Sequence, residues 1–354
     1  MTSAFTFKPY KRPLIIYGEG ARGAEVKEFA EKANVPVLLT WRGLDLLPSK
    51  HHLVVGTFGT HAPRWGNFAV QNADFLLVVG SRLDTRTTGT PLSAFAPNAK
   101  IVMVDIDSAE IEKFGSRVEG IVEDSKTFLS RPVESGNCAD WLGLIRYWQR
   151  KYPVSNEGPY KIIKNLSDAC IPGDIIVTDT GCALAWVAQV WEWKKGQRLI
   201  HAFNQTPMGY GLPAAYASHY ASGQRILAIC GDGSLMMSLA ELATIAGKKV
   251  PVKIILLDNK GHSMCRQTQR EWFGGKYPST SVEGGLTFPD FEKMKSAFGV
   301  DMEVYQIDPE ADVVPKATFG KPIHDQAPYL PREELAAQMD PLYWAMVHEA
   351  LISD

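Results

Sequence analysis

The chain has 354 residues, with 37 Lys and Arg against 39 Asp and Glu, and a formal net charge of −2 at pH 7. Hydrophobic residues make up 45% and charged residues 21%, the composition of a folded globular protein with room for about two domains. A charge this close to zero gives no electrostatic basis for binding nucleic acid or an anionic membrane, and we expect neither partner.

The five cysteines are odd in number and form no C-x-x-C pair, so neither a disulfide framework nor a zinc site is expected. No apolar run reaches membrane-spanning length, and the N-terminus lacks a secretory signal pattern. The sequence therefore predicts a cytoplasmic protein.

Residues 13 to about 130 alternate between short apolar runs and amphipathic stretches. Residues 23–33 lie between the first two runs with a helical apolar face, as a βαβ crossover would. The runs with the length of buried parallel strands are residues 14–17, 35–39, 74–79 and 100–105. This pattern predicts an α/β domain with a doubly wound parallel sheet over residues 13–135, preceded by an arm at 1–12.

A linker with one helix is expected over residues 136–159. The apolar stripe of this helix would consist of Trp141, Leu144, Ile145 and Trp148. A second α/β domain, also a doubly wound parallel sheet, is expected over residues 160–354. It would include a proline-rich tail from Asp308 and a closing helix from Arg332.

In this second domain, Gly231, Asp232 and Gly233 follow the apolar run 225–230, and Asn259 follows the run 250–257. Parallel strands end at one edge of the sheet, where open α/β sheets bind ligands. A helix is expected over residues 234–246. A carboxylate, an amide oxygen and a backbone carbonyl suit Mg²⁺, and flanking glycines let the backbone approach an anion. The pattern predicts a metal–diphosphate site; taken singly, Asp232 could be a helix N-cap and Asn259 a turn residue.

This arrangement resembles the thiamine diphosphate enzymes, whose signature is Gly-Asp-Gly followed at a set distance by Asn. Residues 208–215, 241–246, 251–256 and 289–291 fit the acetolactate synthase family in particular. The resemblance implies a middle domain followed by a diphosphate-binding domain. It places the family's pyrimidine-binding domain, with the glutamate that activates the cofactor, on a second chain. The chain is then expected to be one subunit of a split, hetero-oligomeric enzyme.

The resemblance implies that thiamine diphosphate binds through Mg²⁺ held by Asp232, Asn259 and the Gly261 carbonyl. Met208 would lie under the cofactor, although methionine is otherwise a common core filler. Pro207 disfavours the right-handed helical region for Thr206, which is compatible with a carbonyl presented to the cofactor. The residues expected to contact the cofactor are Gly181, Cys182, Thr206, Met208, Gly231, Asp232, Gly233, Ser234, Asn259 and Gly261. Cys182 and Ala183 stand where many relatives have Gln and His, which puts those side-chain contacts in doubt.

The predicted catalytic residues on this chain are Met208, His262, Met264 and Thr268. Met264 and Thr268 would line the substrate pocket, and Thr268 stands where acetolactate synthases have Trp. The resemblance therefore implies a wider, more polar pocket and a different second substrate. His262 would be a proton carrier near the cofactor or, equally, a residue that caps the loop.

In the first domain, residues 80–89 resemble the family's flavin-binding turn and residues 105–107 its acidic turn on the adenosine side. The residues expected to contact FAD or ADP are Gly18, Gly20, Gly56, Arg82, Arg86 and Asp105, with the guanidinium groups neutralising a pyrophosphate. A pocket without a ligand is the alternative, since Phe58 replaces a His of close relatives. A Rossmann dehydrogenase is not supported, because no G-x-G-x-x-G follows the first strand.

Three functions fit these features. The favoured one is the diphosphate-binding subunit of a carboligase that decarboxylates a 2-oxo acid such as pyruvate and transfers the acyl unit to an acceptor. The second is a split 2-oxo acid decarboxylase of the sulfopyruvate decarboxylase type. The third is a non-catalytic cofactor-binding protein, against which the intact pair of Asp232 and Asn259 argues.

Overall fold

The first compact unit is built on a parallel sheet. The computed structural model describes residues 4–339, and the described part of this unit comprises residues 4–154 and 314–339. The strands of residues 4–154 are β1 (Phe5–Thr6), β2 (Pro13–Tyr17), β3 (Val37–Leu39), β4 (Val54–Thr57), β5 (Phe75–Val79), β6 (Lys100–Asp105), β7 (Val118–Val122) and β8 (Val133–Glu134). The helices are α1 (Val26–Ala33), α2 (Arg64–Asn72), α3 (Thr85–Thr88), α4 (Ser108–Glu112), α5 (Ser125–Leu129) and α6 (Ala139–Lys151).

Six of these strands form one sheet in the order β4-β3-β2-β5-β6-β7, with every pair parallel. The central strands β2 and β5 are buried along their whole length, which explains their uninterrupted apolar sequences. The predicted α/β class and parallel sheet are confirmed. The edge strands β4 and β7 have no counterpart among the predicted runs, and β7 is largely exposed. Separately, β1 pairs with β8.

Helix α6, predicted as a linker, belongs to the first unit. Trp141, Ile145 and Trp148 are buried at 3%, 0% and 2% exposure, so most of the predicted apolar stripe faces the core. The Trp141 indole donates to the carbonyl of Pro13, and Trp148 packs edge-on against Phe68 of α2. Leu144 is 41% exposed and does not share this face.

The second unit covers residues 155–313. Its strands are β9 (Ile175–Thr178), β10 (Arg198–Ile200), β11 (Ile226–Gly231), β12 (Val252–Asp258) and β13 (Met302–Gln306). Its helices are α7 (Gly158–Ala169), α8 (Cys182–Val190), α9 (Gly211–Ser222), α10 (Asp232–Met237), α11 (Glu241–Gly247), α12 (Ser263–Trp272) and α13 (Phe291–Phe298). The sheet order is β10-β9-β11-β12-β13, all parallel, so β9, β11 and β12 end side by side at one edge.

The helix predicted over residues 234–246 is two helices, α10 and α11. Between them the backbone bonds tighten to three-residue spacing, as when the amide of Glu241 donates to the carbonyl of Ser238 at 2.9 Å. Met237, at the end of α10, is 60% exposed. Residues 234–246, predicted as one helix, therefore contain a turn between α10 and α11.

The segment from Val314, assigned from sequence to the second domain, packs with the first unit. It contains the antiparallel pair β14 (Lys316–Ala317) and β15 (Gln326–Ala327), then α14 (Arg332–Gln338), which begins where predicted. Buried polar side chains of α2 hold it: Asn67 donates to the carbonyl of Ile323 at 2.7 Å, and Arg64 to that of Gln326 at 3.2 Å. The rest of the predicted closing segment, like residues 1–3 of the predicted arm, lies outside the described residues.

All five cysteines are free. No helix in the described part of the chain is long and apolar enough to cross a membrane.

Candidate metal and diphosphate site

A cleft of about 260 Å³ opens at the carboxyl edge of the second sheet, where β9, β11 and β12 end. Every residue predicted to contact the cofactor lines it, from Gly181 and Cys182 to Asn259 and Gly261. His262 and Met264 line it as well. Parallel register explains the convergence, because it brings segments distant in sequence to the same edge.

Asp232 organises the floor of this cleft. Its carboxylate is 1% exposed and accepts hydrogen bonds from the amides of Gly233 at 2.6 Å, Asn259 at 3.1 Å and Gly261 at 3.0 Å. These bonds tie the end of β11 to the loop after β12. Burial, reinforced by the charge of Asp258, raises the pKa of Asp232 to about 7. A divalent cation bound here would favour the ionised carboxylate.

Asn259 presents an oxygen that the described protein atoms leave unused. Its Nδ2 donates to Oγ of Ser263, whereas its buried Oδ1 has no hydrogen-bond partner in residues 4–339. An unpartnered buried amide oxygen is costly unless something else binds it. With the Asp232 carboxylate beside it and the Gly261 carbonyl in the same loop, the donor set is oxygen only, as Mg²⁺ prefers. Among the described residues no cluster of three His, Cys, Asp or Glu offers a different kind of metal site.

The glycines of the cleft differ in what they face. A Cβ added at Gly181, whose φ is +80°, or at Gly231 would meet no atom within 4 Å. The backbone is therefore open there to an incoming anion. A Cβ at Gly233 would lie 2.3 Å from Cε1 of His262 and 3.1 Å from Cε of Met208. The structure thus brings His262 and Met208 together over Gly233. Burial, helped by the charge of Arg266, lowers the pKa of His262.

Asp179, which the sequence analysis does not single out, fixes the turn that carries Met208. It is 1% exposed and accepts from the amides of Thr180 at 2.8 Å, Gly209 at 3.2 Å and Gly211 at 2.6 Å. Burial raises its pKa against the effect of these bonds. An acidic residue directly after β9, at the same edge as Asp232, was the available signal.

Thr206 adopts a left-handed backbone conformation, with φ of +44°. A β-branched residue is strained there, and such strain tends to occur where a function requires it. The conformation agrees with the exclusion of Thr206 from the right-handed region by Pro207. Its amide donates to the carbonyl of Ala202 at 2.8 Å, and Thr206 lines the cleft.

Thr268 does not line this cleft, although Met264 does. Thr268 lies one turn after Met264 in α12, and its hydroxyl donates to the Met264 carbonyl at 3.1 Å. Lining residues absent from the prediction are Thr180, Ala183, Trp186, Leu257, Ser263 and Cys265. The apolar ones among them read in sequence as ordinary core.

The predicted nucleotide residues of the first unit also gather at the carboxyl edge of their sheet, since each lies within or just after β2, β4, β5 or β6. Their glycines, however, face the chain itself. A Cβ at Gly18 would lie 2.2 Å from the carbonyl oxygen of Gly80, and one at Gly20 would lie 2.8 Å from the Gly80 Cα. At Gly56 the neighbour is Nε1 of Trp65, at 3.2 Å. Close chain packing accounts for these glycines, and a nucleotide here stays a prediction.

Arg82 is exposed and Arg86 half-buried in the turn after β5. Asp105, at the end of β6, accepts from the amide of Asp107 at 3.0 Å. These side chains share the edge of the sheet, and a nucleotide role for them stays a prediction.

Comparison with known proteins bears directly on the cleft. Residues 179–323 match the thiamine pyrophosphate enzyme C-terminal TPP binding domain, and residues 5–131 match the thiamine pyrophosphate enzyme central domain. The chain belongs to the thiamine pyrophosphate enzymes. The match over 179–323 contains both Asp232 and Asn259, so the cleft lies in this family's cofactor-binding domain.

Several acetolactate synthase large subunits are similar to this thiamine pyrophosphate enzyme chain. Isozyme 1 of Escherichia coli K12 is 34% identical, over 90% of this chain and 58% of its own length. Isozyme 2 of the same organism is 32% identical, over 82% and 54%. The protein of Lactococcus lactis subsp. lactis is 30% identical, over 82% and 52%. The chain thus spans a little over half the length of these relatives.

Proposed function

We propose that this chain supplies the metal- and diphosphate-binding half of a thiamine diphosphate-dependent carboligase of the acetolactate synthase type. The enzyme would decarboxylate a 2-oxo acid such as pyruvate and transfer the acyl unit to an acceptor. The observation that carries the proposal is the buried, unpartnered Oδ1 of Asn259 beside the Asp232 carboxylate, at an edge where Gly181 and Gly231 are open.

The residues of the cleft have separable tasks. Asp232, Asn259 and the Gly261 carbonyl would hold Mg²⁺, and the open backbone at Gly181 and Gly231 would admit the diphosphate. Thiamine diphosphate, when bound, supplies a carbon nucleophile and an electron sink for the decarboxylation of a 2-oxo acid. The protein contributes binding and orientation.

Met208 and His262 form the wall above Gly233. Met208 would hold the bound cofactor in its bent shape, and the strained Thr206 would present its carbonyl from the preceding turn. His262 would exchange a proton with the substrate, and Met264, which also lines the cleft, would contact the substrate. The position of Thr268 supports a smaller role than the sequence suggests.

The activating glutamate of the family is proposed to come from a pyrimidine-binding domain on a second chain, giving a hetero-oligomer. The described residues that line the cleft include no glutamate, so an activating glutamate would have to be supplied from outside this lining. A reducing, cytoplasmic location is proposed with it, supported by five free thiols. The proposed reaction does not require FAD or ADP.

Calorimetric titration of the full chain with thiamine diphosphate, with and without Mg²⁺, tests the site. We expect binding that requires the metal; binding equally tight in EDTA would contradict the proposal. Co-expression with the products of neighbouring genes, followed by native mass spectrometry, tests the partner. A complex that holds only copies of this chain would refute the split arrangement.

Product analysis with pyruvate then separates the reactions. A ligated hydroxy-ketone or acetohydroxy acid supports the carboligase. Free aldehyde alone would instead establish the decarboxylase alternative.

A further inference from the structure

The amide of Asn259 belongs to a buried chain of hydrogen bonds that extends beyond the expected metal ligands. Nδ2 of Asn259 donates to Oγ of Ser263, and Nη2 of Arg266 donates to the same Oγ at 3.1 Å. Nη2 of Arg266 also reaches the backbone carbonyl of Asn259 at 3.3 Å. The three residues are 7%, 6% and 4% exposed. Ser263 and Arg266 thus hold both the side chain and the main chain of Asn259.

This arrangement addresses a specific requirement of an asparagine ligand. An amide offers a metal its oxygen only, and the NH₂ group on the other side is then a buried donor that needs an acceptor. Ser263 Oγ supplies that acceptor. Since a guanidinium has only donors, Arg266 cannot compete for the Nδ2 hydrogens; it can only fix the position of the oxygen that receives them.

Arg266 also borders the third expected ligand. A Cβ at Gly261 would lie 3.2 Å from Cζ of Arg266 and 2.5 Å from the carbonyl oxygen of Thr280. The loop from Asn259 to Ser263 is therefore packed at Gly261 against both the guanidinium of Arg266 and the backbone of Thr280. The amide of His262 donates to the same Thr280 carbonyl at 3.0 Å.

We infer that Ser263 and Arg266 are positioning residues for the metal: they orient the Asn259 amide so that Oδ1 faces the cation and Nδ2 is satisfied behind it. The inference rests on the proposed function, because it presumes a cation on Asp232 and Asn259. Partners that orient metal ligands typically contribute about 10- to 100-fold to metal affinity.

The test uses the full chain, thiamine diphosphate at fixed concentration and Mn²⁺ as the probe, with free Mn²⁺ measured by electron paramagnetic resonance. Ser263→Ala should raise the Mn²⁺ dissociation constant by about 10-fold or more. Because it also leaves buried donors without their acceptor, the melting temperature without metal should fall by about a few degrees, a measurement that checks that the chain stays folded. Ser263→Thr, which keeps the hydroxyl, should restore most of the affinity. Arg266→Met should weaken Mn²⁺ binding, and Arg266→Lys should recover part of it. Ser296→Ala, an exposed serine of α13, is the matched control.

Wild-type Mn²⁺ affinity in Ser263→Ala would overturn the inference, and so would an equal loss in Ser263→Thr. If Asp232→Ala abolishes binding while Ser263→Ala does not, only the positioning role fails. If the wild-type chain binds no Mn²⁺ with the cofactor, the proposed function fails with it.

Discussion

Glycines end strands in both parallel sheets, and the two units use them in opposite ways. Gly18 follows β2 in the first unit, and an added Cβ there would lie 2.2 Å from the Gly80 oxygen. Gly231 ends β11 in the second unit, and an added Cβ would meet nothing within 4 Å. The first glycine is required by the chain's own packing. The second leaves room at the edge where the metal residues gather, so the same motif has a different meaning in each unit.

The largest expected effect is at Asp232. Asp232→Ala removes the carboxylate that accepts three backbone amides and faces Asn259, and should abolish Mg²⁺-dependent binding of thiamine diphosphate. Calorimetric titration measures the loss. Asp301→Ala, which removes an exposed ion pair of the same unit with Arg225, is the control and should bind normally. If Asp232→Ala binds thiamine diphosphate with unchanged affinity, the proposed metal site at Asp232 is wrong.

Gly18→Ala tests the packing side of the comparison. The new methyl group would press on the Gly80 backbone, so the free energy of unfolding of the first unit should fall by about 1–3 kcal/mol or more. Gly143→Ala, in helix α6 with open space around it, should instead raise stability by about 0.5–1 kcal/mol. Differential scanning calorimetry measures both. Equal stability of the two variants would show that Gly18 is not held by Gly80.

Gly231→Ala tests whether the open space at Gly231 is used by the ligand. The residue has φ of −80°, which alanine adopts without strain, so the melting temperature should hardly change. The methyl group projects into the cleft, and we expect thiamine diphosphate to bind more weakly, by about 10-fold, a loss of about 1.4 kcal/mol. A Gly231→Ala variant that is destabilised but binds thiamine diphosphate normally would show that Gly231 serves chain packing, as Gly18 does, and not ligand binding.

The stability of the first unit should also depend on pH. His324 is 1% exposed, and burial is the main reason that its pKa is lowered to about 4, with a contribution from the charge of Arg332. An unfolded histidine takes up its proton near pH 6.5, so between pH 6.5 and 4 the unfolded state binds more protons. The free energy of unfolding should therefore decrease as the pH is lowered from 6.5 to 4, and at pH 5 the decrease should reach about 2 kcal/mol.

The measurement is calorimetry at pH 7.5 and 5.0, following the transition that Gly18→Ala shifts. His324→Gln should flatten the dependence, since glutamine does not titrate and can still meet Gln71, which lies 3.2 Å from Nδ1. An equally steep decline in that variant would assign the effect to other groups.

The sequence predicts most of the second sheet's edge because the relevant residues lie directly after apolar strands. Asp232 and Asn259 need only the strand ends and a parallel register to meet. Asp179 also lies directly after an apolar strand, β9, and is open to the same reasoning; what the sequence does not show is its bond to the Gly211 amide, 32 residues away. Ser263 and Arg266 likewise matter through their contacts with Asn259, which no periodicity encodes.

Other differences come from neighbours that residue type does not reveal. Gly18 and Gly231 look alike until the atoms opposite them are known. Leu144 has the right helical spacing for the α6 stripe, yet no core lies over it. The assignment of the tail to the second domain follows chain order, whereas its polar partners lie on α2, 256 residues away in the bond from Asn67 to Ile323.

That separation has a consequence for synthesis on the ribosome. The guanidinium of Arg64 binds the carbonyl of Gln326, which is translated 262 residues later. Domains commonly fold in the order in which they are translated. Here the later-starting unit, residues 155–313, is fully translated before the first one has all of its parts. If the first unit begins to fold before residues 314–339 are made, Arg64 and Asn67 of α2 lack these hydrogen-bond partners until then.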